Sequence, residues 1–130
     1  MTGACTVTTA DQSVSDSGRF TGATRYSLAW TSDAGGNVSG HAATIKRGSL
    51  VLAKIVPATS IDAPTDRYDV TLVDADGVDV LGGLGADQAA TAGAYYPLDP
   101  VLMFDASQTL DLVVANAGNV KKGTMHLWVR

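Results

Sequence analysis

The sequence predicts an all-β fold, and three observations carry that prediction. All 13 acidic residues are aspartate, although glutamate is the better former of surface helices and aspartate favours turns. The chain also holds 14 threonines, 14 valines and 14 glycines, which suit half-buried strands and the tight turns between them. Several segments, such as residues 26–30, alternate apolar and polar side chains with the period of two typical of a strand with one buried face.

The size and charge of the chain limit its domain organisation and its partners. The length of 130 residues suits one domain spanning residues 1–130, in which we expect residues 1–3 to be flexible. The net charge of −4 argues against nucleic acid as a partner, because phosphate binding uses a concentrated basic face. No apolar run approaches the ~20 residues of a membrane helix, and the first residues lack a signal-peptide pattern. The single cysteine, Cys5, cannot form an intrachain disulfide, so we expect synthesis in a reducing cytoplasm.

Turn residues divide the first half of the chain into strand-like segments. We expect a Thr- and Val-rich strand at 4–10, a strand or pair of strands at 19–31 after a polar loop, and a strand at 38–47 after a glycine-rich turn. Residues 50–56 are apolar on both faces except at Lys54. This pattern predicts a central strand that is covered on both sides, or on one side by a neighbouring subunit.

The middle of the chain predicts a hairpin followed by a loop. Residues 67–74 alternate as a strand, and the Asp-Gly pair at 76–77 is a strong hairpin signal, so residues 78–81 are expected to return beside the first strand. Residues 82–93 are rich in glycine and alanine and show no clear period. They predict either a loop or a short helical turn at 86–90.

The remaining segments complete the prediction of a sandwich. Residues 95–98 and 101–104 are expected to be short edge strands, because prolines interrupt them. Residues 109–116 and 122–130 alternate strongly, and we expect the last of these to be a structural strand. Eight or nine short strands in one domain predict a jelly-roll-like β-sandwich.

None of the residues that could support catalysis or bind a metal ion lies in a complete motif. His41 and His126 lie inside expected strands, and Cys5 has no nucleophile signature around it. The aspartates of residues 74–79 lack the closing glutamate of a calcium loop. The glycines of residues 82–88 lack the third glycine of a dinucleotide loop and the lysine of a triphosphate loop. We therefore expect no enzyme activity, no catalytic residue, no cofactor and no metal.

Aromatic residues near polar ones mark the candidate binding surface. Trp128 shares a strand face with His126 and Arg130, while the apolar residues between them take the other face. Tyr95 and Tyr96 lie beside two prolines and form a second candidate. Large aromatic residues on partly polar faces are enriched in protein interfaces. A core covered on both sides would explain Trp128 equally well.

Three segments resemble small all-β structural proteins of tailed bacteriophages, of the cement or decoration type. They are residues 26–40 (YSLAWTSDAGGNVSG), 66–86 (DRYDVTLVDADGVDVLGGLGA) and 112–130 (LVVANAGNVKKGTMHLWVR). The resemblance implies a jelly-roll or related β fold and a virion protein on the outer surface of an icosahedral head. It implies that the protein cements neighbouring major capsid subunits, without catalytic residues, and a homo-oligomer, either a dimer or a trimer, is expected.

Two other functions fit the same fold and composition. A tail or head–tail connector component would share both. A carbohydrate-binding β-sandwich would line a groove with exposed aromatic residues, for which Tyr95, Tyr96 and Trp128 are the candidates.

Overall fold

The computed structural model describes residues 2–12 and 23–130. These residues form eight strands and one short 3-10 helix (Ser60–Asp62), and they contain no α-helix. The strands are β1 (Ala4–Gln12), β2 (Ala23–Thr31), β3 (Ala42–Ile45), β4 (Gly48–Pro57), β5 (Asp69–Val73), β6 (Ala94–Phe104), β7 (Gln108–Ala115) and β8 (Lys122–Val129). Most of the expected first loop and the expected strand residues 19–22 lie outside the described residues. No helix in the described part of the chain is long and apolar enough to cross a membrane.

The strands form two antiparallel sheets that enclose one apolar core. The larger sheet has five strands in the order β1-β2-β8-β4-β6, and the smaller has three in the order β3-β7-β5. Buried residues of both sheets belong to one hydrophobic cluster. The predicted all-β sandwich is therefore confirmed, whereas its jelly-roll form stays a prediction.

The alternation in the sequence corresponds to burial in the structure. The side chains that were expected to face inward are at most 5% exposed in β2, β7 and β8. They are Tyr26, Leu28, Trp30, Leu110, Leu112, Val114, Met125, Leu127 and Val129. Burying one such side chain is worth about 1.5–3 kcal/mol, so these three strands alone contribute much of the hydrophobic free energy.

Strand β8 lies in the middle of the larger sheet, between β2 and β4. Its first buried residue, Gly123, pairs with Trp30 of β2. A Cβ atom at Gly123 would lie 2.4 Å from Cζ2 of Trp30, so glycine leaves the space that the indole ring occupies. On its other side, the Trp30 ring has its centroid 5.7 Å from that of Tyr68 on the segment leading into β5. This stack of three residues joins the two sheets.

Aspartate side chains organise the turns. Asp33 and Asp74 each accept hydrogen bonds from the backbone N–H groups two and four residues later, at 2.9–3.0 Å. Asp79 accepts three backbone N–H bonds at 3.0 Å, one from Leu72 on β5 and two from Leu81 and Gly83, which lie two and four residues later. A short carboxylate reaches these local amides, which explains why turn-rich β proteins favour aspartate.

The expected hairpin strand at residues 78–81 does not form. Only an isolated bridge between Val73 and Asp79 is present, although the Val80 N–H donates to the Leu72 carbonyl at 2.8 Å. The Asp79 carboxylate takes the Leu72 N–H that a regular return strand would have paired with its backbone. The chain therefore continues in turns along β5, where Gln88 bridges to Tyr68 instead of forming a helical turn at 86–90.

The two edge strands expected at 95–98 and 101–104 are one continuous strand, β6. This strand pairs only with β4 among the described strands, and the peptide bond between Asp99 and Pro100 is cis. Prolines are tolerated there because an edge strand has a free side that needs no N–H donor. The prediction of an edge position is confirmed, and the prediction of two strands is wrong.

The start of the described chain is held by hydrogen bonds. Thr2 and Ser39 exchange backbone N–H···O bonds of 3.1 Å, and His41 Nε2 donates to the Thr2 carbonyl at 3.0 Å. Thr2 thus forms a bridge to the β2–β3 connection, Met1 lies outside the described residues, and the flexibility of residues 1–3 stays a prediction.

Replacing Gly123 with alanine tests the stack of Trp30 on β8. The new methyl group would push against the indole ring, so we expect the free energy of unfolding to fall by about 1–3 kcal/mol. Urea denaturation followed by tryptophan fluorescence measures this change. Gly35→Ala is the control, because Gly35 is exposed and has an ordinary backbone angle. Equal stability of the two variants would contradict this packing.

Candidate interaction surface

The candidate surface lies on the outer face of the five-stranded sheet. In the strand register, Ser27 of β2 pairs with His126 of β8, His126 with Lys54 of β4, and Lys54 with Tyr95 of β6. Their neighbours in sequence on β2, β8 and β4 are buried in the core, so these four side chains lie on the opposite face. The row crosses four adjacent strands, and we call it, together with Trp128, the outer-face cluster.

Ring contacts hold the aromatic part of the cluster together. The Trp128 ring centroid lies 6.4 Å from that of Tyr95 and 6.0 Å from that of His126, and both pairs are tilted. Lys54 Nζ lies 4.7 Å from the Tyr95 ring centroid, within the range of a cation–π contact. Tyr95 is 59% exposed, whereas Trp128 is half-buried. The cluster is thus an ordered aromatic patch that remains open to a partner.

His126 is the residue of this cluster whose pKa is shifted. Its Nδ1 and the Ser27 Oγ are joined by a hydrogen bond of 2.8 Å. Partial burial lowers the pKa of His126, and the positive charges of Arg25 and Lys54 lower it further. The imidazole is therefore held in its neutral form near pH 7, and the positive charge on this face comes from Lys54 of the cluster and from the neighbouring Arg25.

Arg25 is a second positively charged side chain on the same face. It pairs with Trp128 in the β2–β8 register and is half-buried. Its Nε is buried and has no hydrogen-bond partner among the described residues. A buried donor without a partner costs free energy.

The structure places the predicted surface residues in three different surroundings. Trp128, His126 and Tyr95 meet in the outer-face cluster. Tyr96 instead packs against the core, and its hydroxyl donates to Gln88 Oε1 at 2.9 Å, because successive residues of a strand face opposite sides. Arg130 is exposed beyond the end of β8, and its backbone exchanges hydrogen bonds with Ser49.

Two members of the cluster were not predicted from the sequence as surface residues. Ser27 gave no signal, because a serine on the polar face of a strand is unremarkable. Lys54 did give one, since it interrupts an otherwise apolar strand that was expected to be covered on both sides, or on one side by a neighbouring subunit. The structure shows β4 covered by the core on one face and open on the other, with Lys54 on the open face.

A Ser–His hydrogen bond also occurs in hydrolases, but the surroundings here do not complete such a site. Catalysis of that kind needs an acid that orients the imidazole and donors that bind an oxyanion. The hydrogen-bond partner of the His126 imidazole is Ser27 and its ring neighbour is Trp128, and among the described residues no group of three or more His, Cys, Asp or Glu side chains could hold a metal ion. The cluster also lies on an open sheet face.

The depressions on the molecule are shallow. One of about 310 Å³ is lined by residues of β1, β2, β4 and β8, including Thr6, Ala29 and Thr124, beside the outer-face cluster. Another of about 320 Å³ lies between the end of β4 and the loop that precedes β6. Both are open to solvent along one side, so they suit contact with a surface better than enclosure of a small ligand.

Comparison with known proteins finds no relative of this chain. No family model, no curated protein and no solved structure matches the chain.

The lowered pKa of His126 predicts a dependence of stability on pH. Between the ordinary value of 6.5 and the lower folded value, the unfolded chain binds more protons than the folded chain. The free energy of unfolding should therefore fall as the pH drops below 6.5, and it should level off below the folded pKa. Urea titrations at a series of pH values measure this slope. In His126→Asn the slope in that window should decrease, and an unchanged slope would exclude His126 as its source.

Proposed function

We propose that this protein is a non-enzymatic structural protein that binds another protein through the outer-face cluster. The observation that carries the proposal is the ordered row of Tyr95, Lys54, His126 and Trp128 on an open sheet face. Rigid aromatic side chains lose little entropy on binding, and Trp, Tyr and Arg are enriched among the residues that carry most of the binding energy of interfaces.

The charge of the cluster indicates the chemistry of the partner surface. The whole chain has a net charge of −4, yet Lys54 and Arg25 place positive charge on this face while His126 stays neutral. A partner surface with carboxylates and apolar side chains would pair with the cations and cover the aromatic rings. The negative remainder of the molecule would face away from such a partner.

The resemblance to phage cement proteins supplies the identity of the proposed partner. We infer a lattice of major capsid protein on an icosahedral head, with neighbouring capsid subunits joined across the bound protein. The protein would then be a virion component. The all-β sandwich is the fold class that this resemblance implies, which supports the proposal. Binding only to the assembled lattice would stabilise it by mass action, without any reaction.

Purified heads that lack the protein test both the partner and the surface. We expect the wild-type chain to co-sediment with such heads and to raise their disassembly temperature. Tyr95→Ser and Lys54→Ala should each raise the half-saturating concentration about tenfold or more, as expected for central interface residues. Val120→Ser and Lys46→Ala are matched controls, because both residues are exposed and lie away from this face.

Three outcomes would overturn the proposal. If the wild-type chain does not bind heads, the capsid partner is wrong, and binding to purified tails or connectors instead would identify the other virion location. If it binds heads and all four variants bind equally well, the outer-face cluster is not the interface. A glycan screen whose signal is lost in Tyr95→Ser would replace the capsid proposal with carbohydrate binding.

A further inference from the structure

The free edges of the two sheets differ in how open they are to further pairing. The side of β5 away from β7 is occupied by residues 79–88, through bridges at both ends and a hydrogen bond of 2.8 Å from the Val70 N–H to the Gly85 carbonyl. Strand β3 is only four residues long. Strand β6 contains two prolines, which have no N–H to donate. Strand β1 has nine residues without proline, and it pairs only with β2 among the described strands.

Strand β1 also lacks the features that keep an edge from pairing. Residues 4–10 read ACTVTTA and carry no charge, and threonine and valine favour strands. An edge strand of this kind leaves a row of backbone N–H and C=O groups that another strand can pair with. Proteins normally block such edges with lysine, proline or a bulge, and β1 has none of these in this segment.

The inner face of β1 is incompletely covered. Cys5 and Val7 lie on the same side of their strand as the core, since they pair with Trp30 and Leu28 in the register with β2. Those two partners are at most 1% exposed, yet Val7 is 36% exposed. The larger sheet has two strands more than the smaller one, and β1 is its outermost strand on this side. A further strand alongside β1 would cover part of Val7.

We propose that β1 pairs antiparallel with β1 of a second copy of this chain, about a two-fold axis at Val7. The sequence of the strand is almost a palindrome around that residue. Val7 would meet Val7, Thr6 would meet Thr8, and Ala4 would meet Ala10, with Cys5 against Thr9 as the single mismatch. On the inner face, Val7 would meet Val7 and Cys5 would meet Thr9, and on the outer face the Thr6–Thr8 pairs, which stabilise sheets, would lie beside the alanine pairs.

Joining of copies through β1 and β6 is disfavoured. Pairing of β1 with β6 of the next copy would be head-to-tail, and the prolines of β6 block a regular ladder there. Pairing of β1 with itself is isologous, so it closes at two chains and leaves no open β1 edge. The two five-stranded sheets become one continuous sheet. This pairing does not use the outer-face cluster, and it stands whether or not the partner is a capsid.

The mass of the full-length chain in solution tests this proposal. We expect sedimentation equilibrium at micromolar concentration to give twice the 13.3 kDa of one chain. The double variant Thr6→Lys with Thr8→Lys should be monomeric, because the pairing brings the new ammonium groups together across the axis. Both threonines are exposed, so the variant should fold, which far-UV circular dichroism checks. Thr59→Lys with Thr109→Lys adds the same charge at exposed sites away from β1 and should stay dimeric.

Cysteine cross-linking tests the register independently of charge. In a Cys5→Ser background, Val7→Cys places two thiols opposite each other at the axis, where Cα atoms of paired strands lie about 4.5–5.5 Å apart and a disulfide fits. Mild oxidation should therefore give a covalent dimer. Thr9→Cys is the control, because the two thiols would be four residues apart along the strands, about 14 Å. A monomeric or trimeric wild type, or cross-linking of Thr9→Cys but not of Val7→Cys, would overturn the proposal.

Discussion

The alternation of side chains along β8 is the constraint on which the rest of the structure depends. The strand lies in the middle of the larger sheet, and each of its residues must suit either the core or the outer face. On the inner side, Gly123 makes room for Trp30, and the apolar residues that follow fill the space between the sheets. On the outer side, the same strand carries His126 and Trp128. Shifting its register by one residue would exchange these two sets and lose both the core and the cluster.

The exclusive use of aspartate reflects how the connections are built. Asp33, Asp74 and Asp79 each accept several backbone N–H bonds, and Asp79 uses both of its oxygens. These carboxylates satisfy amides that would otherwise lack partners in tight turns. The acidic segment at 74–79, which resembles an ion-binding loop in composition, is thus occupied by its own backbone. The same bonds explain why the expected hairpin became a series of turns along β5.

The unequal size of the two sheets creates the surfaces on which both proposals rest. Five strands opposite three leave β1 at an edge where the core-facing Val7 is only partly covered. The larger sheet also has a broad outer face that no described segment covers at Tyr95. The edge and the face are separate, so a pair of copies would still have both outer-face clusters free to bind.

The sequence by itself determined the fold class, the alternating strands and the inward-facing residues, because the period of two and the turn signals are local properties of the chain. It also singled out Trp128, His126 and Tyr95. Only the tertiary structure decided that these side chains meet, that Lys54 joins them and that Tyr96 turns towards the core. Strands far apart in the chain become neighbours through packing of the whole domain, and which of them pair is not encoded in any local pattern. For β8, local alternation assigned each residue to a face, and the global pairing order placed that strand at the centre of the larger sheet.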